Sequence, residues 1–309
     1  DNSIQPLGFR YFNVDPDNGF ILNGKPYPLR GICLHEGKKD KGRAVSDADR
    51  KEAIDMLRET GCNYLRLSHY QHGDYTYQYL DSLGIICWAE IPNINSVGNT
   101  LDENRIYRKN AVSQMYELLR QQYNHPCIVF WGLSNEIYFK ASIDPLETIL
   151  QLNKVVKSED NYRLTTLAAM YPEKPANWIP DIYSNNRYDG WYYNEIEDFG
   201  EVLDSLHAKY PQRKIGVSEY GAGANVNHHE YPPIKPKADG QFHPEEYQSL
   251  FHEEYLKMIN VRPYIWSSSM WIGFDFACDN RDEGEQPGIN DKGLITFDRK
   301  IKKDAFYWY

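Results

Sequence analysis

The sequence predicts an α/β protein: a (β/α)8 TIM barrel with an N-terminal β-hairpin. Two observations carry this. Short runs rich in β-branched and aromatic residues alternate with longer amphipathic runs, and eight strand-like runs can be counted. The 309 residues would give about two average domains, but one α/β barrel of roughly 250 residues with a leading segment uses them as well.

The elements follow in order. Asp17-Asn18-Gly19 and Asn23-Gly24 are tight-turn sequences between short β runs, so residues 1–27 read as a linker and hairpin that close the barrel floor. The barrel then occupies 28–309, with a last helix that starts near Lys303 and is cut short. Strand one is PLRGICLH (28–35). The helix over 46–61 has Ser46 as N-cap, Asp49 three residues on and Gly61 as its stop. Strand two is 62–69, a helix closed by Gly84 spans 74–84, and strand three is 85–92. A long helix runs from about Asp102 to Tyr123 before strand four, CIVFWGLSNE (127–136). Pro145 in a first turn opens the next helix. Strands five and six are 163–169 and 181–188, and a helix from about Glu195 to Lys209 leads to strand seven, KIGVSEYG (214–221). A helix over 243–260 precedes strand eight, 264–276.

Composition narrows the function. With 34 Lys and Arg against 44 Asp and Glu, the net charge of −10 argues against a nucleic-acid or anionic-membrane partner. No apolar run approaches the ~18 residues of a spanning helix, and no leader pattern opens the chain. A soluble protein is expected, in the cytoplasm, the periplasm or secreted. The five cysteines form no C-x-x-C pair, and the four inside or beside apolar runs (Cys33, Cys62, Cys87 and Cys127) read as small buried hydrophobes. Tyr is abundant, with 25 copies. Aromatic faces with polar rims suit flat, hydroxylated ligands such as sugars.

The chemistry is read from the strand ends, because a barrel of this class forms its active site at their carboxyl ends. Strand four ends in Ser134-Asn135-Glu136 and strand seven in Ser218-Glu219-Tyr220-Gly221. An acid that closes an apolar run is costly to desolvate. Two carboxyls facing across a barrel mouth are the apparatus of glycoside hydrolysis, one protonated and one ionised.

These segments resemble glycoside hydrolase family 2. SNE at strand four and SEYGAGA at strand seven are similar to its catalytic segments, and NYLRLSHY, WAEIP, NNRYDGWY, MWIGFDFA and NDKGLITFDRK extend the likeness over nearly the whole chain. The resemblance implies a retaining exo-glycosidase that needs no cofactor or metal. Glu136 would be its general acid/base and Glu219 its nucleophile. Asn135 would hydrogen-bond the sugar 2-hydroxyl, and Tyr188 would donate to Glu219. Arg66 would supply an opposite charge to Glu219. His35 and His69 would reach sugar hydroxyls, with Trp271 as an apolar platform. Members of the family carry β-sandwich domains, which are expected to be missing from this chain.

The tail and HYQHGDYTYQYLD look most like the β-galactosidase branch, so an oligosaccharide or other β-galactoside is the expected substrate. The alternatives are a β-glucuronidase and a non-catalytic carbohydrate-binding barrel. Asn290-Asp291-Lys292 has the N-x-K spacing with which β-glucuronidases hold a substrate carboxylate, but the favoured expectation is a loop-anchoring Asn290 and a solvated Lys292. Glu90, ending strand three, is either a site member or a supporting partner. The run Asp279 to Glu285 reads as a solvated loop, and His228-His229-Glu230 as exposed and without metal-ligand spacing.

Overall fold

The chain enters through a three-stranded antiparallel sheet, β1 (Phe12–Asp15), β2 (Gly19–Leu22) and β3 (Lys25–Pro26). This description rests on a computed structural model that describes residues 7–309, so the first six residues of the expected linker lie outside it. The hairpin therefore has a third strand: the Asn23-Gly24 turn, with both φ angles positive, sends the chain back along β2. The first turn is held by the Asp15 carboxylate, which accepts from the backbone N–H groups of Asp17 and Asn18 at 2.9 and 2.8 Å. Gly19 is required there, because a Cβ would lie 2.6 Å from the carbonyl of Pro263. Val14 and Phe20 point into the end of the barrel and join an apolar cluster with Tyr64, Trp88, Phe130 and Trp266.

Eight parallel strands close the barrel: β4 (Leu29–Leu34), β5 (Tyr64–Leu67), β6 (Ile86–Glu90), β7 (Ile128–Asn135), β8 (Leu164–Ala169), β9 (Tyr183–Asn186), β10 (Ile215–Glu219) and β11 (Ser267–Met270). The ladder from β11 to β4 makes the closure. Six helices run between the strands: α1 (Asp47–Arg58), α2 (Asp74–Leu83), α3 (Leu101–Gln122), α4 (Leu146–Glu159), α5 (Asp198–Lys209) and α6 (Glu245–Asn260). The capping box of α1 forms as its sequence requires, with Ser46 and Asp49 each accepting from the other's backbone N–H. Gly84 closes α2 in the left-handed conformation. Among the described residues no helix is long and apolar enough to cross a membrane.

Strand eight is shorter than expected. After Met270 the chain leaves the ladder: Trp271 N–H donates to the Tyr220 carbonyl, and Phe276–Ala277 (β12) pairs instead with Ile289–Asn290 (β13). The final helix, α7 (Asp304–Trp308), packs on α6.

Side-chain alternation places the chemistry. Along a strand, every second residue faces the same side. Leu65, Leu67, Cys87 and Ala89 belong to the cluster under the helices, whereas Tyr64 and Trp88 belong to the cluster at the barrel floor. Arg66 and Glu90 therefore share the inner face, one step above aromatic residues, toward the carboxyl ends.

Candidate active site

Arg66 sits in the centre of this upper layer with no solvent exposure. Its Nη1 donates to Glu219 Oε1 at 2.7 Å and to the Ser218 carbonyl at 3.2 Å. Its Nη2 donates to Asn135 Oδ1 at 2.8 Å and to Glu90 Oε1 at 3.1 Å, and its Nε to Glu90 Oε2 at 3.2 Å. Its plane lies over the Trp88 ring at 4.7 Å. Burial alone disfavours this charge, but Glu90 and Glu219 outweigh burial and raise its pKa well above the ordinary value. Glu90 is likewise opposed by burial yet held below the usual carboxylate range by Arg66 and His69. Glu90 is thus a supporting partner inside the site.

Glu219 ends β10 and is 4% exposed. Its second oxygen accepts from the Tyr188 hydroxyl at 2.8 Å. Burial and the Glu219 charge push the Tyr188 phenol well above its usual range, so it remains a donor.

Glu136 follows directly on β7. Its backbone has φ 48°, the left-handed region that a non-glycine residue occupies at a cost of order 1–3 kcal/mol. Two neighbours hold that turn: Glu136 N–H donates to the Ala168 carbonyl and its own carbonyl accepts from Phe139 N–H, both at 2.8 Å. The side chain accepts from Asn186 Nδ2 at 2.8 Å. The carboxyl is pushed up to about 7, first by burial and then by the negative charge of Glu219. One carboxyl is thereby set to hold a proton near neutrality, while the other lies against a guanidinium. Asn135 Oδ1 accepts from Arg66 and, at 3.3 Å, from Asn186, which directs the Asn135 Nδ2 donor away from both.

The remaining predicted residues lie around the same opening. His69 Nδ1 is 2.7 Å from Glu90 Oε1, which leaves Nε2, 3.9 Å from Glu219 Oε1, on the Glu219 side. Trp271 stacks on the His69 ring at 5.0 Å, and the His35 ring meets the Trp271 edge at 5.3 Å. His35 Nδ1 contacts the Tyr70 hydroxyl at 3.2 Å. Burial, followed by the neighbouring His69, lowers the His35 pKa well below the ordinary value and keeps it neutral. All eight predicted residues thus fall in one continuous cluster.

Several participants were missed or misjudged from sequence. Asn186, which links Glu136 at the end of β7 to Ser218 on β10, was read only as part of a strand; the polar run Ser184-Asn185-Asn186 was its signal. Lys292 is not solvated. It is 1% exposed, lies 5.2 and 5.0 Å over the rings of Trp191 and Tyr192, and its ammonium has no hydrogen-bond partner among the described residues. The nearest carboxylate oxygen, on Glu283, is 3.7 Å away. Asn290 is 3% exposed, and its Oδ1 accepts from Lys292 N–H. The loop over 279–285 is only partly solvated: Glu283 is buried, and Arg281 donates to Glu283 and to the Tyr192 hydroxyl. His228 is buried as well, stacked on Phe242 with Nε2 3.3 Å from Glu285, because the loop folds back over it.

A closed parallel barrel with two glutamates on its fourth and seventh strands defines the class, and comparison supplies the family. The chain belongs to glycosyl hydrolases family 2, whose TIM barrel domain matches residues 14–308. It is similar to a β-glucuronidase of Bacteroides fragilis, 44% identical over 313 residues that cover 100% of this chain and 45% of that protein. Among solved structures it resembles Bacteroides uniformis β-glucuronidase 2 covalently bound to cyclophellitol-6-carboxylate aziridine (TM-score 0.90, 36% identity, 97% of this chain and 37% of that one). It also resembles a Bacteroides fragilis structure provisionally named a β-galactosidase (TM-score 0.92, 38% identity, 99% and 45%). The chain spans about half the length of the curated relatives it matches.

Proposed function

We propose that this chain is the catalytic barrel of a retaining exo-β-glucuronidase. The observation that carries the sugar assignment is the buried Lys292 ammonium, which has no hydrogen-bond partner among the described residues; Asn290, two residues before it, accepts from the Lys292 backbone N–H. A buried charge left so poorly paired is costly unless a ligand completes it. The C6 carboxylate of a glucuronide has the charge and size to do so, and the two relatives above that are named β-glucuronidases support the same choice. The expectation of a galactoside gives way for this reason: a neutral hydroxymethyl group would leave the ammonium only Glu283, at 3.7 Å, and the Trp191 and Tyr192 rings, with no hydrogen-bond acceptor.

In the proposed reaction the Glu219 carboxylate attacks the anomeric carbon. The bond to the leaving oxygen breaks as Glu136 passes its proton to that oxygen. A glycosyl ester on Glu219 results. Loss of the Glu219 negative charge lowers the Glu136 pKa, which suits Glu136 to take a proton from water. The water oxygen attacks the same carbon, the ester bond breaks, and Glu219 returns as carboxylate with the sugar configuration retained. Arg66 and Tyr188 orient the nucleophile throughout. Asn135 Nδ2 binds the 2-hydroxyl, a contact that strengthens as positive charge develops on the ring. His35 and His69 bind other hydroxyls, and Trp271 supports the ring.

The test compares chromogenic β-glucuronide and β-galactoside bearing the same leaving group. The glucuronide is expected to be turned over with kcat/KM at least tenfold higher, on the scale of one well-placed charge contact. A preference for the galactoside would refute the sugar assignment while leaving the two-glutamate chemistry intact. Glu219→Gln is expected to abolish turnover of both, and an active Glu219→Gln would refute the nucleophile.

A further inference from the structure

Behind the Asn290–Lys292 segment lies a second set of charges that the two-glutamate chemistry does not use. Lys303, at the N-cap of α7, is 1% exposed. Its ammonium donates to the carbonyls of Ala224 (2.6 Å) and Asp291 (2.8 Å) and to Asp275 Oδ1 (2.8 Å). Asp275 Oδ1 also accepts from Gly293 N–H at 2.8 Å. The Asp291 carboxylate accepts from His243 Nδ1 at 2.6 Å. His243 Nε2 faces the Lys237 carbonyl at 3.1 Å, so both ring nitrogens meet oxygen atoms. Asp275, Asp291 and His243 are all fully buried or nearly so.

These contacts converge on three consecutive residues. The Asp291 carbonyl is held by Lys303 and by Ala224 N–H, the Lys292 carbonyl by Ile272 N–H, and the Gly293 N–H by Asp275. The walls are tight: a Cβ on Gly223 or Gly284 would come within 2.4 Å of an Asp291 carboxylate oxygen. A lysine is a point charge on a flexible four-carbon stem. Here the stem is pinned at its root by this clamp and at its tip by the Trp191 and Tyr192 rings.

We propose that Lys303, Asp275, Asp291 and His243 are positioning residues that fix the Lys292 ammonium and thereby set selectivity for a carboxylate over a hydroxymethyl group at sugar C6. The proposal rests on the β-glucuronidase reading. Displacing a binding group by about 1 Å is enough to cost up to a hundredfold in recognition. Loosening the clamp therefore weakens the carboxylate contact and leaves the hydroxyl contacts around Glu219 in place.

The experiment measures dissociation constants, by calorimetry, for a cyclitol inhibitor bearing a 6-carboxylate and for its neutral 6-hydroxymethyl counterpart. The proteins are the wild type, Lys303→Met and Asp291→Asn. The wild type is expected to prefer the carboxylate. In both variants that preference should fall at least about tenfold, with affinity for the neutral compound changed by less than about threefold. A preference that persists in a folded variant overturns the clamp, and so does a parallel loss of both affinities, which marks a merely structural role. If Lys303→Met does not fold, Asp291→Asn decides by the same ratio, since it keeps the backbone carbonyl that Lys303 holds. A wild type with no carboxylate preference sinks the β-glucuronidase reading itself, which is distinct from failure of the clamp.

Discussion

Glu136 and Arg281 show how the charge of single residues sets a working pH. Glu136 has to carry its proton to serve as an acid, and its carboxyl stands at about 7. Turnover should therefore fall as pH rises through about 7. Arg281 contributes a positive charge that lowers the Glu136 pKa. Arg281→Leu is expected to move the basic limb of the kcat/KM profile to higher pH, and a limb that stays put or moves down would contradict the placement of that charge. The same carboxyl affects stability. Between its ordinary 4.5 and about 7, the folded state keeps a proton that the unfolded chain has released, so stability falls as pH rises across this window. Asp275, raised by burial to about 7, adds to the same slope. Glu136→Gln removes one of the two contributions. Its melting temperature should exceed that of the wild type at pH 8 and match it at pH 4, measured by calorimetry across pH.

At the scale of elements, β6 and β7 approach so closely that one position admits only glycine. A Cβ on Gly132 would lie 2.1 Å from Trp88 Nε1 and 2.5 Å from Glu90 Cβ. Gly132→Ala should displace Glu90 from Arg66, lowering stability by about 1–3 kcal/mol and reducing kcat/KM more than tenfold at temperatures where the protein is folded. Unaltered kinetics would show that Glu90 does not help hold Arg66. The elements were legible because their signals are local. IVFWGL before SNE, the Ser46–Asp49 pair and the glycine stop at Gly84 each carry the reason for a strand, a cap or an end within a few residues. Glu136 and Glu219 were legible for the same reason, as acids closing apolar runs. Lys292 was not, because its burial depends on Trp191 and Tyr192, about a hundred residues earlier, and on a loop that folds back over them. The early end of strand eight was hidden likewise: the apolar run continues past Met270, but Phe276–Ala277 pairs with Ile289–Asn290 instead of with the barrel strands.

Taken whole, the molecule separates its two tasks along the barrel axis. The β1–β3 sheet seals the amino-terminal ends of the strands, with Phe20 meeting the Phe130 ring edge-on at 5.8 Å. The carboxyl ends carry Glu136, Glu219 and Arg66. Phe20→Ala should cost about 3–5 kcal/mol yet leave kcat/KM within about twofold wherever the variant is folded, as barrel floors govern stability and barrel tops govern chemistry. A large kinetic change would mean that the two ends are coupled. The backbone of Glu136 extends this division to how such a protein changes over time. A half-buried acid twisted into a left-handed turn is a burden to the fold, and on the proposed mechanism turnover is the reason to keep it. A lineage or a laboratory library screened for heat resistance alone would discard that residue early, and the hardiest survivors would be inert barrels; any effort to toughen this scaffold has to score catalysis in every round.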